Sequence, residues 1–251
     1  MGALTGKVAV VTGGSRGIGR AIVEGFADAG ADVVIASRKV DACAAVADEL
    51  STRYGVRAFP VAYQAADWND SDRLAEAIDH KFGRCDVLVN NAGMTPRYPD
   101  LPSIDEKYYD KVAGVNLKGP FRLSVLLAEQ MKAGDGGSII NISTIGTLRP
   151  GTDELVYACA KAGLNALTVG LAGAYGPTVR VNALLPGPVA TDIAAGWNDE
   201  LRARAVEGMP LNRMGTPQDF VGPALWLATD ASAFVTGTHI RVDGGLYRQN
   251  H

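Results

Sequence analysis

Three cysteines in 251 residues, Cys43, Cys85 and Cys159, are too few and too far apart for a disulfide framework or a zinc site. They read as small buried apolar residues in a reducing compartment. Histidine is equally scarce. His80, His239 and His251 are too scattered for a metal site or a Ser/His/Asp triad, and nothing else in the chain calls for a metal. No basic excess exists: the net charge is -3 and the pI about 5.6, so nucleic acid is not an expected partner. No apolar stretch approaches the ~18 residues of a membrane span. The start runs from Lys7 and the apolar residues 8–11 straight into a glycine turn, unlike a secretory leader. These absences predict a cytoplasmic protein with no membrane partner.

What remains is an alternation. Short β-rich runs at 8–11, 33–36, 58–61, 87–89, 138–142, 179–184 and 239–242 are separated by amphipathic stretches such as 18–29, 41–53, 71–82 and 155–174. Near-continuous apolar runs suit strands covered on both faces, as in a parallel sheet. Alternating β and α predicts right-handed crossovers and an α/β, doubly wound (Rossmann) domain with a central parallel seven-stranded sheet flanked by helices. No linker interrupts the rhythm, so residues 1–251 are expected to form one domain. The Pro/Gly-rich segment 186–217 breaks the pattern, with one short helical stretch at 199–206, and residues 190–215 are expected to form a substrate lid.

The first strand leads into Thr12-Gly13-Gly14-Ser15-Arg16-Gly17-Ile18-Gly19 and then a helical pattern. Glycines permit the tight turn and close approach of the backbone to a pyrophosphate, and the following helix turns its free N–H groups toward the anion. About 20 residues on, where a carboxylate would grip the ribose of NAD, stand Ser37-Arg38-Lys39. Arg38 offers a planar fork of donors for a 2′-phosphate, with Ser37 and Arg16 beside it, so NADP(H) is the expected cofactor. Tyr157 and Lys161 are one helical turn apart on one face. An ammonium ~4–5 Å from a phenol would favour the phenolate by ~3–4 kcal/mol at an effective dielectric of 20.

The glycine turn, Asn90-Asn91-Ala92-Gly93 after the fourth strand, Tyr157-x-x-x-Lys161 and Pro186-Gly187 after the sixth strand together resemble the short-chain dehydrogenase/reductase family. The likeness runs from about residue 7 to 245. It implies an oxidoreductase that interconverts a ketone and a secondary alcohol, with Tyr157 as acid/base, Lys161 on the nicotinamide ribose, and Asn116 kinking its helix and holding a water next to Lys161. The substrate-facing hydroxyl expected 13 residues before the tyrosine is Thr144; Ser143 would replace it if the strand bulged. By the same resemblance Gly13, Ser15, Arg16, Gly17, Ile18, Gly19, Ser37, Arg38, Asp67, Trp68, Asn90, Ala92, Gly93, Pro186, Gly187, Val189 and Thr191 bind the cofactor. Asp67 can equally be a helix N-cap, and Asn90 a purely structural tie between strands.

The substrate pocket is expected from 94–98, 148–154, Gly187 and the lid around Trp197. Met94, Tyr98, Leu148, Arg97 and Arg149 would suit an apolar substrate with a polar or anionic tail. β-Ketoacyl reductase-like and sugar or polyol dehydrogenase-like members fit equally well. A non-catalytic NADP-binding sensor or scaffold, and a dehydratase or epimerase, are the alternatives in other classes. Homo-oligomers, dimer or tetramer, are implied through the apolar helices at 121–131 and 155–174 and the region around Asp243-Gly244-Gly245.

Overall fold

A computed structural model describes residues 2–190, 200 and 206–247. Seven strands form one sheet: β1 (Val8–Thr12), β2 (Asp32–Ser37), β3 (Ala58–Ala62), β4 (Val87–Asn90), β5 (Gly137–Ile142), β6 (Val179–Pro186) and β7 (His239–Val242). Their order is β3-β2-β1-β4-β5-β6-β7, and every pairing is parallel. Among the described residues the helices are α1 (Gly17–Asp28), α2 (Val40–Tyr54), α3 (Trp68–Phe82), α4 (Glu106–Ala113), α5 (Gly119–Ala133), α6 (Leu155–Tyr175) and α7 (Val221–Ala228).

The continuous apolar strands have a simple cause. In β1, Ala9 and Val11 join a core layer with Ile22 and Phe26 of α1, Val46 and Leu50 of α2, and Leu227 of α7. Val8 and Val10 face the other layer, with Leu74 and Ile78 of α3, Leu127 and Met131 of α5, and Leu171 of α6. Alternate side chains of one strand thus enter two cores, and neither face can be polar. The edge strand β7 shows the converse: His239 and Arg241 are exposed and Ile240 and Val242 half-buried.

All seven expected strands are present, extended by a residue or two at some ends. Helix α3 begins at Trp68, three residues before the expected start, because Asp67 caps it, accepting from the N–H groups of Asn69 and Asp70. Between α4 and α5 the chain makes a π-helical turn, Gly114–Lys118, around Asn116. One expectation is corrected by α6, whose 21 residues include an 18-residue stretch with a mean hydropathy of 1.4, long and apolar enough to cross a membrane. Here it packs on β6, α4 and α5 and carries the buried Lys161. A second correction concerns Cys159, which is exposed, unlike Cys43 and Cys85.

Consecutive connections run one way from β1 to β2 and β3, then cross to the opposite side for β4. The crevice at the carboxyl ends of β1 and β4 is therefore the topological switch point of the sheet, where open α/β folds bind ligands.

Candidate active site

A cleft of about 1780 Å³ opens at this switch point. At one end it is walled by Ser37, Arg38 and Lys39. Its middle is lined by Gly13, Ser15, Arg16, Gly17, Ile18, Asn91, Ala92 and Gly93, and its far end by Ser143, Thr144, Tyr157, Lys161 and Pro186 to Val189.

The glycine turn is shaped for close approach. Gly13 has φ +67°, and a Cβ there would come 2.8 Å from Asn91 Nδ2; a Cβ on Gly19 would come 2.3 Å from the Gly13 carbonyl oxygen. Asn91 braces the turn through its amide, donating to the carbonyls of Thr12 (2.9 Å) and Gly13 (3.2 Å). Helix α1 starts at Gly17 with no side-chain cap and no acidic residue in its first turn, an open positive end for an anion. The Ser15 and Ser37 hydroxyls lie 3.1 Å apart, linking the turn to the exposed Arg38 at the end of β2. This cradle fits a dinucleotide.

At the other end Tyr157 and Thr144 line the cleft together, the Thr144 hydroxyl close enough to act on the phenol. The Thr144 hydroxyl also accepts from the N–H of Gly146 at 3.0 Å. The Ser143 hydroxyl, one residue earlier, lies 3.5 Å from the Lys161 carbonyl on α6. Lys161 is buried, and its Nζ donates to the Ile142 carbonyl at 2.6 Å. Asn116 donates to the carbonyls of Met94 and Val112, both at 2.8 Å, and accepts from the Met94 N–H at 3.2 Å. Its Oδ1 and Lys161 Nζ flank Gly93, 3.1 and 3.8 Å from the place of a Cβ there.

The expected direction of the Tyr157 pKa is corrected. Burial pushes the phenol up, the Glu154 carboxylate adds to that, and the Thr144 hydroxyl opposes it only in part. The lysine does not reverse the shift. Its nitrogen stands 5.9 Å from the ring centroid, turned to Ile142, and burial pulls Lys161 itself down to about 7.

Four expected cofactor residues do not line the cleft. Gly19 is packed beneath the turn. Asn90 is buried and donates to Ser124 and Asn141, both at 2.8 Å, tying β4 to α5 and β5. Asp67 is occupied as the α3 cap, and Trp68 lies against Phe121 and the Arg122 guanidinium. The wall instead takes Tyr63 to Ala66 beside them. Thr191, Trp197 and most of the expected lid lie outside the described residues. Its described end is anchored: Gly215 pairs with Val189, and Leu211 bonds to Gly244.

Of the expected substrate pocket, Met94, Leu148, Arg149 and Glu154 line the cleft, whereas Arg97 and Tyr98 do not. Leu246 and Tyr247 join the wall unforeseen. The two glycines before them, both at positive φ, turn the chain back after β7, and that doublet was the available signal.

Fold and cleft define a nucleotide-dependent enzyme of the doubly wound α/β class. A family model for enoyl-(acyl carrier protein) reductase matches residues 13–247. L-rhamnose 1-dehydrogenase (NAD(P)(+)) of Azotobacter vinelandii is 40% identical, over 97% of this chain and 98% of the relative. The 3-oxoacyl-[acyl-carrier-protein] reductase of Aquifex aeolicus is 34% identical, over 97% and 98%. A blue fluorescent protein from a metagenomic library, solved in complex with NADPH, superposes with a TM-score of 0.92 at 33% identity, covering 98% of this chain and all of that one. The chain belongs to the short-chain dehydrogenase/reductase family, and it is an NAD(P)-dependent oxidoreductase acting on a CH–OH or carbonyl group.

Proposed function

We propose that this enzyme uses NADP(H) in preference to NAD(H) and interconverts a ketone and a secondary alcohol, with Tyr157 as the acid/base. The observation that carries this reading is one continuous cleft with Arg38 at one end and Thr144 and Tyr157 together at the other. Ser37, Arg38 and Lys39, at the end of β2 and directly after it, include no carboxylate to repel a 2′-phosphate.

Arg38, Ser37 and Arg16 hold the 2′-phosphate, Gly13, Ser15, Gly17 and Ile18 the pyrophosphate, and Ala92 and Gly93 the adenosine side. Pro186, Gly187 and Val189 meet the nicotinamide, with Thr191 next in the chain. Gly19, Asn90, Asp67 and Trp68 support the cleft from behind. When bound, the cofactor supplies or accepts the hydride. In reduction, the Thr144 hydroxyl and the Tyr157 phenol donate hydrogen bonds to the substrate oxygen, and Tyr157 gives it a proton as negative charge develops there. A phenol held above its ordinary pKa is fully protonated at neutral pH, which suits that direction. Lys161, at about 7, can return the proton, and Asn116 shapes the backbone next to it. The same reading extends to assembly as a homotetramer.

The test is steady-state turnover with NADPH and NADH. Wild-type enzyme is expected to prefer NADPH. Arg38→Leu is expected to reduce that preference by about 10-fold or more, the scale of a lost charge-assisted hydrogen bond. Tyr157→Phe is expected to lose about 100-fold or more in kcat. Equal or better use of NADH by wild type overturns the cofactor assignment, and an active Tyr157→Phe overturns the acid/base role.

A further inference from the structure

One carboxyl in the cleft has no part in cofactor binding or proton transfer. Glu154 stands at the N-terminus of α6, three residues before Tyr157, half-buried in the cleft wall. Its Oε1 lies 2.8 Å from the point that a Cβ on Gly146 would occupy, and Thr144 Oγ1 lies 3.4 Å from the same point. Carboxyl and hydroxyl therefore flank one spot beside the reacting centre, and the carboxylate is close enough to act on the Tyr157 phenol.

Glu154 holds the N-cap position of α6, yet its side chain makes no capping hydrogen bond. The Tyr98 hydroxyl has taken that task, accepting from the Leu155 N–H at 2.9 Å and donating to the Thr152 carbonyl at 2.7 Å. The loop is thus pinned by Tyr98, and the carboxyl is left to the cleft. Burial and the neighbouring Asp153 hold its pKa up, with no cation or donor to offset them.

A half-buried carboxyl with unmet acceptors discriminates between substrates. An acyl chain laid against it would bury it unpaired, which is costly. An ammonium would also meet Arg149 and Lys111, which line the same cleft. A hydroxyl group pairs with the carboxyl whether it is ionised or protonated. We propose that Glu154 is a specificity-determining residue that accepts hydrogen bonds from hydroxyl groups next to the reacting carbon, so that the preferred substrates are polyhydroxylated, sugars or polyols, rather than acyl chains. This rests on the oxidoreductase reading above.

The test compares kcat/KM for NADP-dependent oxidation of a panel of aldohexoses and pentitols with that of cyclohexanol, in wild type, Glu154→Gln and Glu154→Leu. The ratio of the best polyhydroxylated substrate to cyclohexanol is expected to fall about 10-fold or more in Glu154→Leu, and less in Glu154→Gln, which keeps a hydrogen-bonding group. A ratio that does not move, or an amino-substituted cyclohexanol that outperforms the panel and depends more on Glu154, overturns this inference while leaving the oxidoreductase reading intact. No cofactor reduction with any of these alcohols, together with no oxidation of NADPH by any ketone, overturns both.

Discussion

Lys161 is a buried cation with one carbonyl partner, and such a group is expensive to keep charged. Its folded pKa of about 7 lies below its ordinary value of 10.5. Below about 7 the ammonium persists in both folded and unfolded chains, and the penalty is complete. Between 7 and 10.5 only the unfolded chain stays charged, so the penalty is relieved as pH rises, and above that range it is gone. Lys161→Met is therefore expected to be inactive yet more stable. The gain is on the order of a few kcal/mol at acidic pH and shrinks toward zero in strong alkali. Thermal melts of both proteins across that range check this, and a gain independent of pH would refute it.

The neighbouring hydroxyls separate cleanly. Thr144→Val keeps the shape and removes the donor beside Tyr157, and about a 100-fold loss in kcat/KM is expected; Ser143→Ala, whose hydroxyl is directed at the Lys161 carbonyl, should lose less than about 10-fold. The reverse order would move the role to Ser143. The role is what this test decides, but the place of Thr144 in the cleft with Tyr157 was legible from their spacing. The sign of the Tyr157 shift was not, because it depends on how deeply the phenol is enclosed and on where the lysine turns, neither of which spacing records.

At the scale of elements, what was legible is what repeats. The inner strands β1, β2, β4, β5 and β6 have runs of β-branched and apolar residues because both of their faces are covered, and some strand ends were missed by a residue or two where the ladder continues into polar positions such as Asn90. The glycine turn was readable because its backbone conformations and close approaches admit little else. Capping decided one placement that periodicity missed: Asp67 fixes the start of α3 with the carboxylate expected on the cofactor, whereas α6 starts where expected, its first N–H held by Tyr98, distant in sequence. The π-helical turn at Gly114–Lys118 has no periodic signature, although Asn116 marked the place. The wall formed by Leu246 and Tyr247 depends on packing between distant segments. Gly244 and Gly245 fold against Met209 and Pro210, where a Cβ would come within 2.7 and 2.8 Å. Such an approach is a property of the folded chain, and local sequence carries only the glycines.

At the scale of the molecule, the two helical layers expose apolar groups on opposite sides of the sheet. On one side are Phe121 of α5 and Val169 of α6, beside Gly170 and Gly173, whose surfaces are open. On the other side are Trp226 of α7 and, in the loop that follows it, the fully exposed Phe234. Bare glycines along an apolar helix allow a second helix to approach closely, and a fully exposed phenylalanine forfeits about 1.5–3 kcal/mol that burial would recover. One such patch would suffice for a two-fold dimer. Two patches on opposite layers, each self-complementary about its own axis, give dihedral symmetry and four subunits. Light scattering on the purified protein is expected to give about four times the 26.2 kDa chain mass. Phe234→Asp is expected to halve that mass, because it places a charge at one contact and leaves the α5–α6 contact untouched. A monomer in dilute solution would refute the assembly, and a tetramer that survives both Phe234→Asp and Trp226→Asp would show that the α7 side is not an interface.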